Sequence, residues 1–589
     1  MKKVGLFIVL VVSLFIESIS AQVITMDNPP LGTRQLTGGN SIGEPGYIFK
    51  SIGDINGDGI EDFAISAPAA SLVYVLYGRS NFQNFPHVNL SQLANFNPNG
   101  FIIAGARDSF FGAAIEPLGD MDRNGLDEFA IGAPFEGEGG RIYVFRGTAL
   151  RYTSMISTTD LTPFLLVLEG TEFEIIGNEI GRGGDINQDG YADFFIPSPY
   201  RVVSQGPYLE GAAYLIYGQN AFPEKVISTA ELDQENSLTI TRPTGLTAIT
   251  FPIFFNYIPD FTGDGLPDMV LTIDAVASGG NHSQVFVLAG GEKLVGTVPL
   301  DQVPTTRHVV NYSLFPQRSM NVLSAIEAAD LDQDGITELI AGFAAGNIAG
   351  GNQPFGVISI LFGSANPPAE QTLTQESRSV QALLGASHVS GMGNDRAFGD
   401  TIAIYGNTLA VGAPLAANPQ IGSATSGAVY LLNALGLQPG LSIANIANPA
   451  QKIFYGTKAG DLFGHSIDLV NYADQNFDLS LLVSSPGDVN GIQGYVVPIN
   501  APVASPTPTL PPSITPTPAP TTVPTPTPGP SSVGDINGDG VINAADLYAL
   551  ASDWQKPATQ AQFPSNLVED ASHVVNALDL LRLLEAFRD

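Results

Sequence analysis

The chain has 589 residues, a formal net charge of −33 and no cysteine. An acidic surface of that size repels nucleic acid and anionic membranes, so neither is an expected partner. The missing cysteines exclude disulfides, thiolate metal sites and cysteine nucleophiles.

Residues 1–21 read as a secretory signal. Lys2 and Lys3 precede an apolar run from Val4 to Ile16 that is too short to span a bilayer, and Ser18, Ser20 and Ala21 offer small residues for cleavage. No later stretch reads as a membrane-spanning helix, so the expected product is secreted, extracellular or associated with the cell surface.

The next feature is Asp54-Ile-Asn-Gly-Asp-Gly-Ile-Glu-Asp62, followed by Phe63-Ala-Ile-Ser-Ala-Pro68. Oxygen-bearing side chains fall at loop positions 1, 3, 5 and 9, and glycine at position 6 supplies the left-handed turn. The main-chain carbonyl at position 7 adds a further oxygen. Such a set suits a hard cation such as Ca²⁺. The candidate ligands here are Asp54, Asn56, Asp58, Ile60 and Asp62.

The loop returns at intervals of roughly 65 to 75 residues. The second copy is Asp120, Asp122, Asn124, Leu126 and Glu128, leading into Phe129-Ala-Ile-Gly-Ala-Pro134. The third is Asp185, Asn187, Asp189, Tyr191 and Asp193. The fourth is Asp260, Thr262, Asp264, Leu266 and Asp268, and the fifth is Asp330, Asp332, Asp334, Ile336 and Glu338. Position 6 is glycine and position 9 a carboxylate in all five. Each loop is followed by apolar runs such as Leu72–Tyr77 and Arg141–Phe145, rich in β-branched and aromatic residues on both faces, as in strands buried between layers.

Two later copies keep the strands and lose the loop. Leu409-Ala-Val-Gly-Ala-Pro414 leads to Ala428–Leu432, and Leu481-Leu-Val-Ser-Ser-Pro486 leads to Tyr495-Val-Val497. In the seventh repeat Asp474, Asn476 and Asp478 alternate, but Leu479 stands where the turn needs glycine, so no site is assigned. Seven all-β repeats of about four strands each predict a seven-bladed propeller over residues 22–500. A lone strand near Val23–Met26 is expected to complete one blade with the segment near Tyr495.

Phe111-Gly112 with Gly132-Ala-Pro134, and Phe398-Gly399 with Gly412-Ala-Pro414, resemble the FG-GAP repeats of integrin α-subunit propellers and their bacterial relatives. The resemblance runs over roughly residues 40 to 500. It implies about five Ca²⁺ ions held in hairpin loops on one face, with ligand binding on the opposite face.

Residues 501–532 contain twelve prolines, mostly alternating with threonine, and no charge. This Pro/Thr-rich linker reads as an extended spacer, about 100 Å long at full stretch. Beyond it, residues 533–589 hold a twelve-position loop with Asp535, Asn537, Asp539, the Val541 carbonyl and Asp546 as ligands. A helical face of Leu547, Leu550 and Trp554 follows. A second copy, Val574-Val-Asn-Ala-Leu-Asp579 with Leu580, Leu583 and Phe587, has lost the front of its loop. Duplicated loops feeding helices behind a Pro/Thr linker resemble a dockerin, a small all-α, EF-hand-like domain. The resemblance implies one Ca²⁺ at the first loop and docking onto a cohesin domain.

No catalytic constellation is legible. The six histidines are scattered, no nucleophile elbow or phosphate loop is present, and most close carboxylate pairs lie inside the metal loops. The expectation is an exported, non-catalytic Ca²⁺-binding recognition or adhesion protein, whose propeller binds an unidentified protein or glycan. The alternative is a dockerin-borne carbohydrate-active enzyme or lectin subunit of a polysaccharide-degrading complex.

Overall fold

In a computed structural model, seven sheets, each with an antiparallel core, follow one another around an axis. The structure describes residues 22–26, 29–30, 33–38, 47–79, 88–94, 97–172, 174–199, 211–222, 224–232, 234–244, 249–277, 280–312, 323–331, 333–344, 357–373, 380–384, 397–418, 425–433, 450–471, 479–487 and 492–499. The expected signal peptide, the Pro/Thr linker and the dockerin-like module with Asp535, Asn537, Asp539, Val541 and Asp546 lie outside the described residues, as do Asp332, Asp474, Asn476 and Asp478.

The innermost strands of the seven blades are Phe49–Gly53, Ile115–Gly119, Gly181–Gly184, Phe255–Ile258, Ala325–Ala329, Thr401–Tyr405 and Ile467–Val470. Each touches the next in order, and the last touches the first, so the ring closes. The second strands Asp62–Ala67, Glu128–Ala133, Asp193–Ser198 and Glu338–Phe343 are buried at every residue. This explains their unbroken apolar runs: a strand packed between two neighbouring blades has no solvent face. The apolar core divides into seven clusters, each straddling two adjacent blades.

Closure uses the two ends of the described chain, but not with the expected strand. Arg34–Thr37 pairs antiparallel with Ile492–Pro498 and becomes the fourth strand of the seventh blade. Gln22–Thr25 instead runs parallel to Ala450–Tyr455 on the outer edge of the sixth. The second arrangement is general. Val88–Asn89, Ile156–Ser157, Val226–Ser228, Gly296–Pro299 and Glu370–Leu373 each add in parallel to the outer strand of the preceding blade. These straps cover edges that would otherwise expose unpaired backbone groups.

The paired motif of the repeat has a main-chain explanation. The Gly112 N–H donates to the Gly132 carbonyl at 2.8 Å, and Gly399 and Gly464 do the same to Gly412 and Ser484 at 3.0 Å each. Where the letters differ, the bond survives: Ile253 donates to Thr272 and Ser324 to Gly342, both at 2.9 Å. The phenylalanine of the motif is buried edge-on against a tyrosine of the third strand, as in Phe111–Tyr143, Phe398–Tyr430 and Phe463–Tyr495.

Candidate metal centres and axial cavity

Each of the five loops joins the first strand of its blade to the second, so all five lie at one end of the ring. Their glycines at position 6 have φ of +81° (Gly59), +84° (Gly125), +89° (Gly190), +82° (Gly265) and +90° (Gly335), the left-handed region expected from the sequence.

The carboxylates do three different jobs. At position 1, Asp120 accepts the N–H groups of Asn124 at 3.0 Å and Gly125 at 2.8 Å; Asp54, Asp185, Asp260 and Asp330 repeat this pattern. At position 5, Asp58, Asp189, Asp264 and Asp334, with Asn124, accept the N–H of position 7. That bond holds Ile60, Tyr191, Leu266, Ile336 and Leu126 in the turn. At position 9, Asp62, Glu128, Asp193, Asp268 and Glu338 are essentially solvent-free and accept the N–H of position 2.

Among the described residues, the second loop assembles its carboxylates most closely. Oxygens of Asp120, Asp122 and Glu128 lie within 4.8 Å of one another. In the first loop, Asn56 turns its Nδ2 toward both oxygens of Asp62 and its Oδ1 toward Arg151. In the fourth, the Thr262 hydroxyl donates to Asp268 at 3.3 Å. Asn56 and Thr262 thus hydrogen-bond the carboxylate at position 9 of their own loops.

Burial pushes the acids at position 9 upward: Asp62 and Asp193 to about 7, Glu128 to about 8 and Asp268 to about 6. Backbone N–H groups oppose the shift, and the neighbouring loop carboxylates add to it. Hard oxygens gathered around a desolvated carboxylate are the donor set that a Ca²⁺ ion satisfies, and Asp120, Asp122 and Glu128 of the second loop fit such an ion. Two arginines not anticipated from sequence neutralise part of the charge. Arg146 holds Asp122 through Nε at 2.8 Å and Nη2 at 2.7 Å, and Arg151 pairs with Asp58.

FG-GAP repeat families match residues 111–145 and 389–432. The chain carries FG-GAP repeats in an integrin α-like seven-bladed propeller. It is 27% identical to integrin alpha-5 of Xenopus laevis over 234 residues, covering 38% of this chain and 19% of that protein. Integrin alpha-7 of Homo sapiens is 28% identical over 158 residues, or 26% of this chain and 12% of that protein. Integrin alpha ina-1 of Caenorhabditis elegans is 30% identical over 173 residues, or 26% and 14%. The chain therefore spans less than a fifth of the length of these relatives. FG-GAP propellers commonly bind Ca²⁺, and integrin α-like domains are extracellular. No helix among the described residues is long and apolar enough to cross a membrane.

The integrin α-like propeller also encloses an axial cavity of about 830 Å³ that the sequence reading missed. Its wall takes residues from every innermost strand, among them Lys50, Glu116, Arg182, Glu327 and Asp468. Lys50 pairs with Glu116, and Arg182 with Glu327 at 3.1 Å. The Glu327 charge holds Arg182 above its ordinary value. Burial lowers Lys50, but Glu116, Asp468 and Glu327 together raise it by more. Glu179 faces the cavity beside Glu116, and burial with that repulsion pushes it up to about 7. A charged residue in four of the first strands, three or four places before the loop's first aspartate (Lys50, Glu116, Arg182 and Glu327), was the available signal.

Proposed function

We propose that this is a non-catalytic recognition protein whose propeller binds a partner protein through the mouth of the axial cavity. The observation that carries this reading is the cavity's charge. Lys50 and Arg182 stand against Glu116, Glu179, Glu327, Asp400 and Asp468, a formal excess of three negative charges in one cavity. Low-dielectric walls strengthen that field and favour a basic group on the ligand. The rim adds exposed aromatic surface: Tyr47, Phe110 and Phe135 are 47%, 43% and 59% exposed, and Phe110 meets Phe135 edge-on at 5.4 Å. Aromatic faces beside an acidic cavity suit a lysine or arginine side chain. The rim lies by Pro68, Pro134 and Pro486, at the ends of the second strands farthest from the metal loops.

Ca²⁺ in the five loops has a structural part in this reading, stiffening the hairpins from which the cavity wall is built. A secretory signal and the dockerin-like module complete the proposal: an exported protein in which the loop at Asp535 binds Ca²⁺ and docks the propeller onto a cohesin-bearing scaffold or surface.

The test is a binding screen of the full chain against arrayed surface proteins and glycans. Basic protein ligands are expected, weakened at least ten-fold by Phe110→Ala combined with Phe135→Ala. Retention of glycans alone, indifferent to these changes, overturns the assignment. The docking half is tested on a panel of cohesins with and without EGTA, where Asp535→Ala is expected to abolish Ca²⁺-dependent retention. Failure to retain any cohesin overturns it.

A further inference from the structure

The five loops are not independent hairpins. The N–H of position 8 in one loop donates to the position 1 carbonyl of the loop before it: Asp127 to Asp54 at 3.2 Å, Ala192 to Asp120 at 3.0 Å, and Thr337 to Asp260 at 2.7 Å. A second rung joins each pair. Thr148 donates to Ile55, Gln219 to Met121, Gly291 to Ile186 and Ser364 to Phe261, at 2.8 to 3.2 Å. Side chains follow the same route. Leu126 at position 7 packs so closely on Gly57, at position 4 of the preceding loop, that a Cβ there would lie 2.8 Å from Leu126 Cδ2. Ile336 covers Gly263 in the same way, and the Arg123 guanidinium lies 4.9 Å from the Tyr191 ring centroid.

The place of the first rung matters. Position 8 stands between the position 7 carbonyl and the position 9 carboxylate, and it grips the residue whose side chain is the position 1 oxygen donor of the neighbouring loop. Closing one loop around a cation therefore fixes an oxygen donor of the loop before it, and by reciprocity each loop of the pair favours the other. One link lacks this rung. Position 8 of the fourth loop is Pro267, which has no N–H to give to the Asp185 carbonyl.

We propose that the loops load cations cooperatively in two groups, the first three together and the last two together, with Pro267 as the weak joint between them. This rests on the reading that the loops hold cations. Coupling between adjacent sites of this kind is typically worth about 5- to 150-fold in affinity.

The experiment places a reporter at the third loop. Tyr191→Trp, in a Trp554→Phe background, sensitises Tb³⁺ bound beside it, and position 7 offers only its main-chain carbonyl. In the full chain, Asp120→Ala empties the second loop and Asp260→Ala the fourth. Emptying the second is expected to weaken Tb³⁺ at the reporter about five-fold or more, and emptying the fourth to have a clearly smaller effect. Pro267→Ala should restore the missing donor, sharpen the loading curve and raise the influence of the fourth loop. This variant keeps every candidate ligand, so it reads coupling even if the emptied loops unfold. Equal effects from both neighbours, or a loading curve unchanged by Pro267→Ala, overturn the proposal while leaving cation binding intact. No sensitised emission at all overturns the cation reading as well.

Discussion

The Asp62 carboxylate accepts the Gly78 N–H at 2.8 Å, tying the end of the first metal loop to the glycine that follows the third strand of its blade. Glu128 grips Gly147 at 3.0 Å and Asp193 grips Gly218 at 2.9 Å in the same way. The acid at position 9 is therefore a blade staple as well as a candidate ligand. Asp193→Ala should orphan the Ile186 and Gly218 N–H groups, at about 1–3 kcal/mol for each buried donor. Urea denaturation in EGTA checks this. A loss seen only with Ca²⁺ present would confine the residue to metal binding.

Glycines of the repeat are required for two different reasons, and alanine separates them. A Cβ on Gly265 meets no atom within 4 Å, so Gly265→Ala pays only for its left-handed backbone, about 1–2 kcal/mol. A Cβ on Gly132 would lie 1.9 Å from the Gly177 carbonyl oxygen of the next blade. Gly132→Ala should be the more destabilising of the two by thermal melting, because two blades must separate to admit it.

Chelation should lower the melting temperature. A loop filled at a hundred times its Kd adds about 2.7 kcal/mol to the folded state, and the sequence supplies five such loops. Calorimetric scans in Ca²⁺ and in EGTA provide the measurement, and coincident scans would refute cation binding by the propeller.

The same acids set a pH dependence whose sign depends on the cation. Without Ca²⁺, the folded values of about 6 to about 8 for Asp268, Asp62, Asp193 and Glu128 lie above the ordinary 3.8 and 4.5. The folded chain then binds more protons than the unfolded chain in this window. The stability these groups contribute is complete below the ordinary values and is lost as the pH rises through the folded ones. In EGTA the melting temperature should therefore fall between pH 5 and pH 8.5. With Ca²⁺ present, proton release favours the ion, and the trend should reverse. Parallel pH profiles in the two conditions would contradict the assignment.

Residue spacing alone determined the seven repeats, the five loops and the left-handed glycines, because each is local: a loop needs its own oxygens and its own turn. The repeated Phe-Gly and Gly-Ala-Pro pairs were equally legible. Their persistence without the letters, at Ile253–Thr272 and Ser324–Gly342, was not, because that bond is made by the main chain. Only the tertiary structure decided that Arg34–Thr37, rather than the strand at Gln22–Thr25, closes the ring. Both segments are short and strand-like, and their choice of partner depends on chain reach and on which edge stands open. The cavity was hidden for the same reason. Lys50, Glu116, Arg182, Glu327 and Asp468 lie far apart in sequence, and only ring closure brings their charges into one cavity.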